Sequence, residues 1–151
     1  GRGRKIVVMA LVFVIVGRDE LVYESRFATN SNRDDHAHMD QFVLHSALDM
    51  VEEKMWRTQS MSLGVVDEFN EVQVHAWITA DGARFMLLHE NVTEETAKKV
   101  RVEENIKNFF GEVNDLYAKV ALNPFYEIDT VIRSHTFDSR VQAVSRKYGL
   151  V

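Results

Sequence analysis

Ile6-Val7-Val8-Met9-Ala10-Leu11-Val12-Phe13-Val14-Ile15-Val16 is the stretch that decides the architecture. It is dense in β-branched residues, which favour an extended chain, and no polar residue interrupts it. A strand of this kind must be covered on both faces, which places it inside a sheet as the central strand, with helices on either side. Gly17-Arg18-Asp19 supplies turn residues, after which Leu21, Tyr23, Ser25 and Phe27 alternate with more polar neighbours, as a second strand paired in a hairpin does. Preceded by Gly1-Arg2-Gly3-Arg4-Lys5, the same run has the outline of a signal peptide. It falls well short of the ~20 apolar residues of a membrane-spanning helix, and Gly17-Arg18-Asp19-Glu20 offers no small-x-small cleavage pattern. The strand reading is preferred, with Met9 a candidate start and residues 1–8 an extension or foreign residues ahead of the domain.

Beyond the hairpin a polar loop, 29–33, offers Ser31 or Asn32 as a helix cap, with Asp34 and Asp35 in the first turn, where carboxylates offset the helix dipole. A helix is expected over 34–56. At 100° per residue, Met39, Val43, Leu44, Ala47, Leu48, Met50, Val51 and Met55 fill the half-circle that a helix buries against a sheet. His38, His45, Asp49, Glu52 and Trp56 lie opposite, with Phe42 and Glu53 on the flank. Three strands are expected next, over 62–69, 71–80 and 84–90. The middle one sets Val72, Val74, Ala76, Ile78 and Ala80 on one face and Glu71, Gln73, His75, Trp77 and Thr79 on the other, so one side of the sheet is expected to be partly wet. Asp81-Gly82 is a tight-hairpin signal.

The charged segment 91–104 shows no sustained apolar period and reads either as a flexible insertion or as an exposed extension of the next helix, with the loop preferred. Apolar residues at 106, 109, 110, 113, 116, 117, 120 and 121 then mark a helix that stops before Asn123-Pro124. A last helix begins near Ser134 and carries Phe137, Val141, Val144 and Tyr148. Phe125 and Tyr126, between the two, fit either the surface or the core. The order β-β-α-β-β-β-α-α, with short turns between strands, gives an α+β fold with a mainly antiparallel sheet.

Composition bounds function by exclusion. The 151 residues suit one domain. The formal charge of −5, with neither sign gathered into a block, argues against nucleic acid as a partner. The absence of cysteine rules out disulfides, thiolate metal sites and a thiol nucleophile, and is compatible with the cytosol. Asn91-Val92-Thr93 fits a glycosylation triplet that a cytosolic protein would not use.

Catalytic signals are equally sparse. There is no Gly-x-Ser-x-Gly elbow, and the seven glycines are too scattered to build a phosphate loop. Neither a catalytic residue nor a cofactor is therefore expected. Asp34-Asp35-His36-Ala37-His38 is the most ligand-like cluster, yet 200° separates the two histidines on a helix, so they cannot share a metal ion. What remains is a surface: Phe42, His45, Asp49, Glu52 and Trp56 on one helix form either an ordinary solvated face or, because large aromatics are enriched at interfaces, a protein-interaction face, the reading preferred.

Several segments together resemble the sedlin family. They are Phe13-Val14-Ile15-Val16-Gly17; Asp34-Asp35-His36-Ala37-His38 leading to Gln41-Phe42; Ala47-Leu48-Asp49; Met55-Trp56; and Val66-Asp67-Glu68-Phe69-Asn70-Glu71. Arg84-Phe85-Met86-Leu87-Leu88-His89, Ile106-Lys107-Asn108-Phe109-Phe110, Asn123-Pro124-Phe125-Tyr126-Glu127, Ile132-Arg133-Ser134 and Phe137-Asp138 extend the match over nearly the whole chain. The resemblance implies one longin-like domain over 1–151, with a five-stranded mixed sheet, one long helix on one face and two on the other. It also implies an adaptor subunit of the TRAPP complex, which tethers vesicles between endoplasmic reticulum and Golgi. The implied partners are other TRAPP subunits and, through the assembled complex, a Rab GTPase. The implied location is cytoplasmic and peripheral at those membranes, with no transmembrane segment. Three departures stand out: a shorter loop before the first helix, a longer 91–104 segment and the basic N-terminus. Asp49 falls on the Ala-Leu-Asp motif and faces outward by helix arithmetic, which marks it as a partner contact.

Two other readings compete. One is another longin-like trafficking protein, either a SNARE regulatory domain, which would be expected to continue into a heptad segment, or a small coat-adaptor subunit. The other is a small enzyme that uses the exposed histidines.

Overall fold

The computed structural model describes residues 9–18, 20–27, 37–69, 72–90, 96–127 and 130–150. The elements are β1 (Ala10–Val16), β2 (Leu21–Arg26), α1 (Ala37–Met55), β3 (Ser62–Phe69), β4 (Val72–Ile78), β5 (Arg84–Glu90), α2 (Thr96–Ala121) and α3 (His135–Lys147). The strands form one sheet in the order β2-β1-β5-β4-β3. All four pairings are antiparallel, so the sheet is not mixed as the family resemblance implied. This is an α+β, longin-like arrangement. β1 lies inside the sheet, as its apolar run requires, but the middle position belongs to β5. The proposed caps of α1, Ser31 and Asn32, and the residues Asp34, Asp35 and His36 lie outside the described residues.

Strand alternation sorts the core into two layers. Phe13 and Ile15 of β1 join Phe85 and Leu87 of β5 on the side covered by α2 and α3. Val12 and Val14 join Met86 and Leu88 on the side covered by α1. A register shift between Ala10 and Val12 inserts one residue into β1, so Leu11 and Val12 both serve the α1 layer. Val43, Leu44, Ala47 and Val51 are the buried stripe of α1, while Leu48 and Met55 are half-buried. Each fully buried side chain of this size contributes roughly 1.5–3 kcal/mol relative to exposure.

Three expectations need correction. Helix α2 begins at Thr96 instead of near Asn105. Val102 is buried one turn ahead of Ile106, which extends the apolar stripe just far enough to hold the charged segment against the sheet. The polar face of β4 is drier than expected: α2 packs over it, His75 and Thr79 are buried, and Gln73 and Trp77 are half-buried, while Glu71 lies outside the described residues. Met50 is 41% exposed. It sits on the flank of α1 beside β3, the strand on which α1 packs most heavily, and β3 is the sheet edge, with no further strand beyond it among the described residues to cover the methionine.

The ends of the elements follow their local chemistry. Gly82 has φ 90° in the β4–β5 hairpin, and the Thr79 N–H donates to the Ala83 carbonyl at 2.9 Å. Ser134 caps α3, its hydroxyl accepting from the Phe137 N–H at 3.2 Å. Between α2 and α3 the chain turns on Asn123, whose side-chain oxygen accepts from the Phe125 N–H at 2.9 Å. Phe125 points out of the core, 94% exposed, and Tyr126 packs inward. Further on, the Ile132 N–H donates to the Val22 carbonyl at 2.7 Å, so this segment lies along the outer edge of β2.

Candidate protein-interaction face

Phe42, His45, Asp49, Glu52 and Trp56 are spaced 3, 4, 3 and 4 residues apart. On a helix that spacing keeps them within an arc of about 80°, along a stripe ~20 Å long. All five are exposed, Phe42 to 60% and Trp56 to 84%. Trp56 stands in the turn just past the end of α1. The helix that presents them is rigid because its opposite face is in the core through Val43, Leu44, Ala47 and Val51.

The charges on this face are not equivalent. Glu52 Oε1 lies 3.5 Å from Arg84 Nη2, and Arg84 Nη1 donates to the Gly17 carbonyl at 3.0 Å, so Glu52 is tied to the sheet rim. Glu53 pairs with Arg57 at 3.1 Å. Lys54 reaches the other way, its ammonium donating to the Val65 carbonyl on β3 at 3.0 Å. His45 and Asp49 take part in no ion pair or side-chain hydrogen bond among the described residues. The stripe therefore offers two aromatic surfaces about 21 Å apart along the axis, with a carboxylate and an imidazole between them that are free to meet a partner.

Among the described residues no group of three His, Asp or Glu side chains is placed to hold a metal ion. The two buried histidines, His75 and His89, are held neutral: desolvation pushes His75 down to about 3 and lowers His89. Burial and the neighbouring Asp138 carboxylate push the Tyr23 phenol up, so it stays protonated. No helix is long and apolar enough to cross a membrane among the described residues.

A family model described as Sedlin matches residues 14–147. The chain belongs to the sedlin family. A probable trafficking protein particle complex subunit 2 of Drosophila melanogaster is 41% identical over 140 residues, covering 90% of this chain and 94% of that protein. The counterpart of that name in Caenorhabditis elegans is 38% identical over 141 residues, covering 90% and 94%. A transport protein particle 20 kDa subunit of Schizosaccharomyces pombe is 34% identical over 142 residues, covering 92% and 98%.

For this sedlin-family chain, helix periodicity was enough to bring the five stripe residues together. It missed Arg84, which reads in the sequence only as the polar start of a strand but anchors Glu52. It also missed the outward turn of Met50, which depends on β3 being an edge.

Proposed function

We propose that this chain is a non-catalytic adaptor subunit of a TRAPP-like tethering complex in vesicle transport between endoplasmic reticulum and Golgi. It connects core and peripheral subunits and meets a Rab GTPase only indirectly, through the assembled complex. Its place is cytoplasmic, peripheral at those membranes. Residues 1–151 act as one longin-like domain, with the outer stripe of α1 as a docking face and Asp49 at its centre.

The observation that carries this reading is the stripe itself: Phe42 and Trp56 exposed on a helix whose other face is locked into the core, with an unpaired Asp49 between them. Exposed large aromatics on a rigid element are enriched at protein interfaces, and a charged group beside them helps to choose partner and register. The names of the similar proteins, all trafficking or transport particle subunits, supply the kind of partner. The test is affinity purification of the tagged chain from its source cells, followed by mass spectrometry. Co-recovery of several tethering-complex subunits is expected, and recovery of the chain alone would remove the reading.

A further inference from the structure

Phe125, in the connection between α2 and α3, is the most exposed large apolar side chain among the described residues, and Leu122 beside it is 82% exposed. Exposed apolar residues taken singly are ordinary. What sets Phe125 apart is how it is held. Asn123-Pro124-Phe125-Tyr126 is a four-residue turn closed by the Tyr126 N–H, which donates to the Asn123 carbonyl at 3.0 Å. Inside it the Asn123 side-chain oxygen accepts from the Phe125 N–H at 2.9 Å. Pro124, the one proline of the chain, fixes φ at the second position of the turn.

Both ends of the turn are anchored. The Asn123 N–H donates to the Val120 carbonyl at 3.0 Å, at the end of α2. Tyr126 packs against the core, and its hydroxyl donates to the Thr130 carbonyl at 2.7 Å. Asn123, Pro124 and Phe125 are all exposed. The turn therefore presents a phenyl ring, and beside it a carboxamide whose Nδ2 remains to donate, on a backbone that is already fixed. A hollow of about 730 Å³ between the end of α2 and residues 130–134 borders Phe125 and leaves room for the wall of a partner's pocket.

We propose that this Asn-Pro-Phe turn is itself a ligand: Phe125 and Asn123 together enter a pocket of a separate protein module, an apolar cavity sized for one phenyl ring with a hydrogen-bond acceptor at its mouth. Because the turn is formed in advance, the contact loses little to ordering, and two side chains are enough for a weak, specific association. A lipid surface suits the site less well. It would bury the carboxamide without a partner, and Glu20 and Glu127 at the hollow offset Lys119 and Arg133, so no net positive charge draws it to anionic lipid. The turn follows α2, which covers the opposite side of the sheet from α1, so this contact is separate from the α1 stripe and does not depend on it.

The probe is a purified EH domain, a module whose pocket takes Asn-Pro-Phe turns, titrated with the full chain and, in parallel, with the linear peptide acetyl-Leu-Asn-Pro-Phe-Tyr-Glu-amide. Saturable sub-millimolar binding of the chain is expected, tighter than that of the peptide because the turn is preformed. Phe125→Ala should weaken binding at least tenfold with an unchanged melting temperature, since the ring is on the surface. Asn123→Asp keeps the oxygen that accepts from the Phe125 N–H but lacks the amide donor, and it should weaken binding as well. Leu122→Ala, an equally exposed apolar neighbour, should leave affinity within about twofold. No saturable binding of the chain by about 1 mM, whether or not the peptide binds, overturns the proposal. So does an equal loss from Leu122→Ala and Phe125→Ala, which would mark a nonspecific apolar contact. Either result leaves the α1 reading standing.

Discussion

On the α1 side of the sheet the buried layer is aliphatic, made of residues such as Leu11, Val12, Val14, Val51, Val74 and Leu88. On the other side it is a cluster of rings. Phe13 lies 5.1 Å from Phe109, 5.7 Å from Phe85 and 5.9 Å from Tyr23, mostly tilted or edge-on. Such pairs add roughly 0.5–1.5 kcal/mol each beyond the area they bury. The ring side also carries long-range polar ties: Tyr23 Oη donates to Asp138 Oδ1 at 2.7 Å, and Gln142 Nε2 to Ser25 Oγ at 2.6 Å. One helix covers the aliphatic layer, with Phe42, His45, Asp49 and Trp56 exposed on its outer side. Two helices cover the aromatic layer. On the proposed reading, the aromatic side contributes most to holding the domain together and the α1 side presents it to a partner.

The strongest test of that division compares one deletion in each layer. Phe13→Ala removes the hub of the ring cluster and should cost about 4 kcal/mol, whereas Leu88→Ala in the aliphatic layer should cost about 3 kcal/mol. Urea unfolding of both variants measures the difference. A larger loss from Leu88→Ala would break the comparison, since the thin layer would then be the more demanding one.

Acid should distinguish the two sides next. His75 is held down to about 3, against 6.5 in a free chain, so between those values the unfolded state binds a proton that the folded state refuses. Stability is therefore whole above pH 6.5 and falls as pH drops below it, by ~1.4 kcal/mol per pH unit for this one group. At pH 5 the loss from His75 alone is about 2 kcal/mol. His89 is lowered for the same reason, desolvation, and adds in the same direction. Thermal melts of wild type and His75→Phe at pH 7.5 and pH 5 check this. A variant as acid-sensitive as wild type would show that other groups govern the loss.

These two tests bear on parts of the molecule that differ in how legible they are in the sequence. The run ending at Val16, the alternation of β4 and the Asp81-Gly82 turn each depend on neighbours in the chain, and element order, the hairpin and the stripe of α1 follow from them. The first turns of α2 were not legible, because Val102 is the one buried apolar side chain among their described residues and the core it joins is built from distant segments. The polar side of β4 was misjudged for a related reason. His75 and Thr79 look like solvent-facing residues until α2 is known to cross them. The five stripe residues were within reach because helical spacing alone sets their common face, whereas the Glu52–Arg84 pair depends on β5 lying beneath α1 and the exposure of Met50 on which strand is at the edge.

A smaller effect should come from the cap of α3. Ser134→Ala removes the acceptor for the Phe137 N–H at the helix start and should cost ~1 kcal/mol. Phe137 packs edge-on to Tyr23 at 5.0 Å, so the loss is felt on the ring side, and chemical denaturation reads it directly. A change below about 0.5 kcal/mol, the size of an ordinary surface substitution, would mean that packing of Phe137 and Val141 sets the start of the helix without help from the cap.

Asp49→Tyr should perturb the fold least and binding most. Asp49 is exposed, its side chain makes no ion pair among the described residues, and it stands on the outer face of a helix anchored elsewhere. Replacing it should therefore change stability by no more than ~0.5 kcal/mol. An interface centred there loses a carboxylate and gains a ring where two surfaces must close. A central contact of that kind is worth ~2 kcal/mol or more, roughly thirtyfold in affinity. The two quantities must be measured together: thermal unfolding of the variant, and its co-purification with tethering-complex subunits beside wild type. A melting temperature near that of wild type with co-purification lost assigns the face. Full co-purification removes Asp49 from the interface and leaves Phe42 and Trp56 to be tested separately. A large fall in melting temperature would mean that the outer face of α1 helps to hold the fold, and the division between the two sides of the sheet would fail with it.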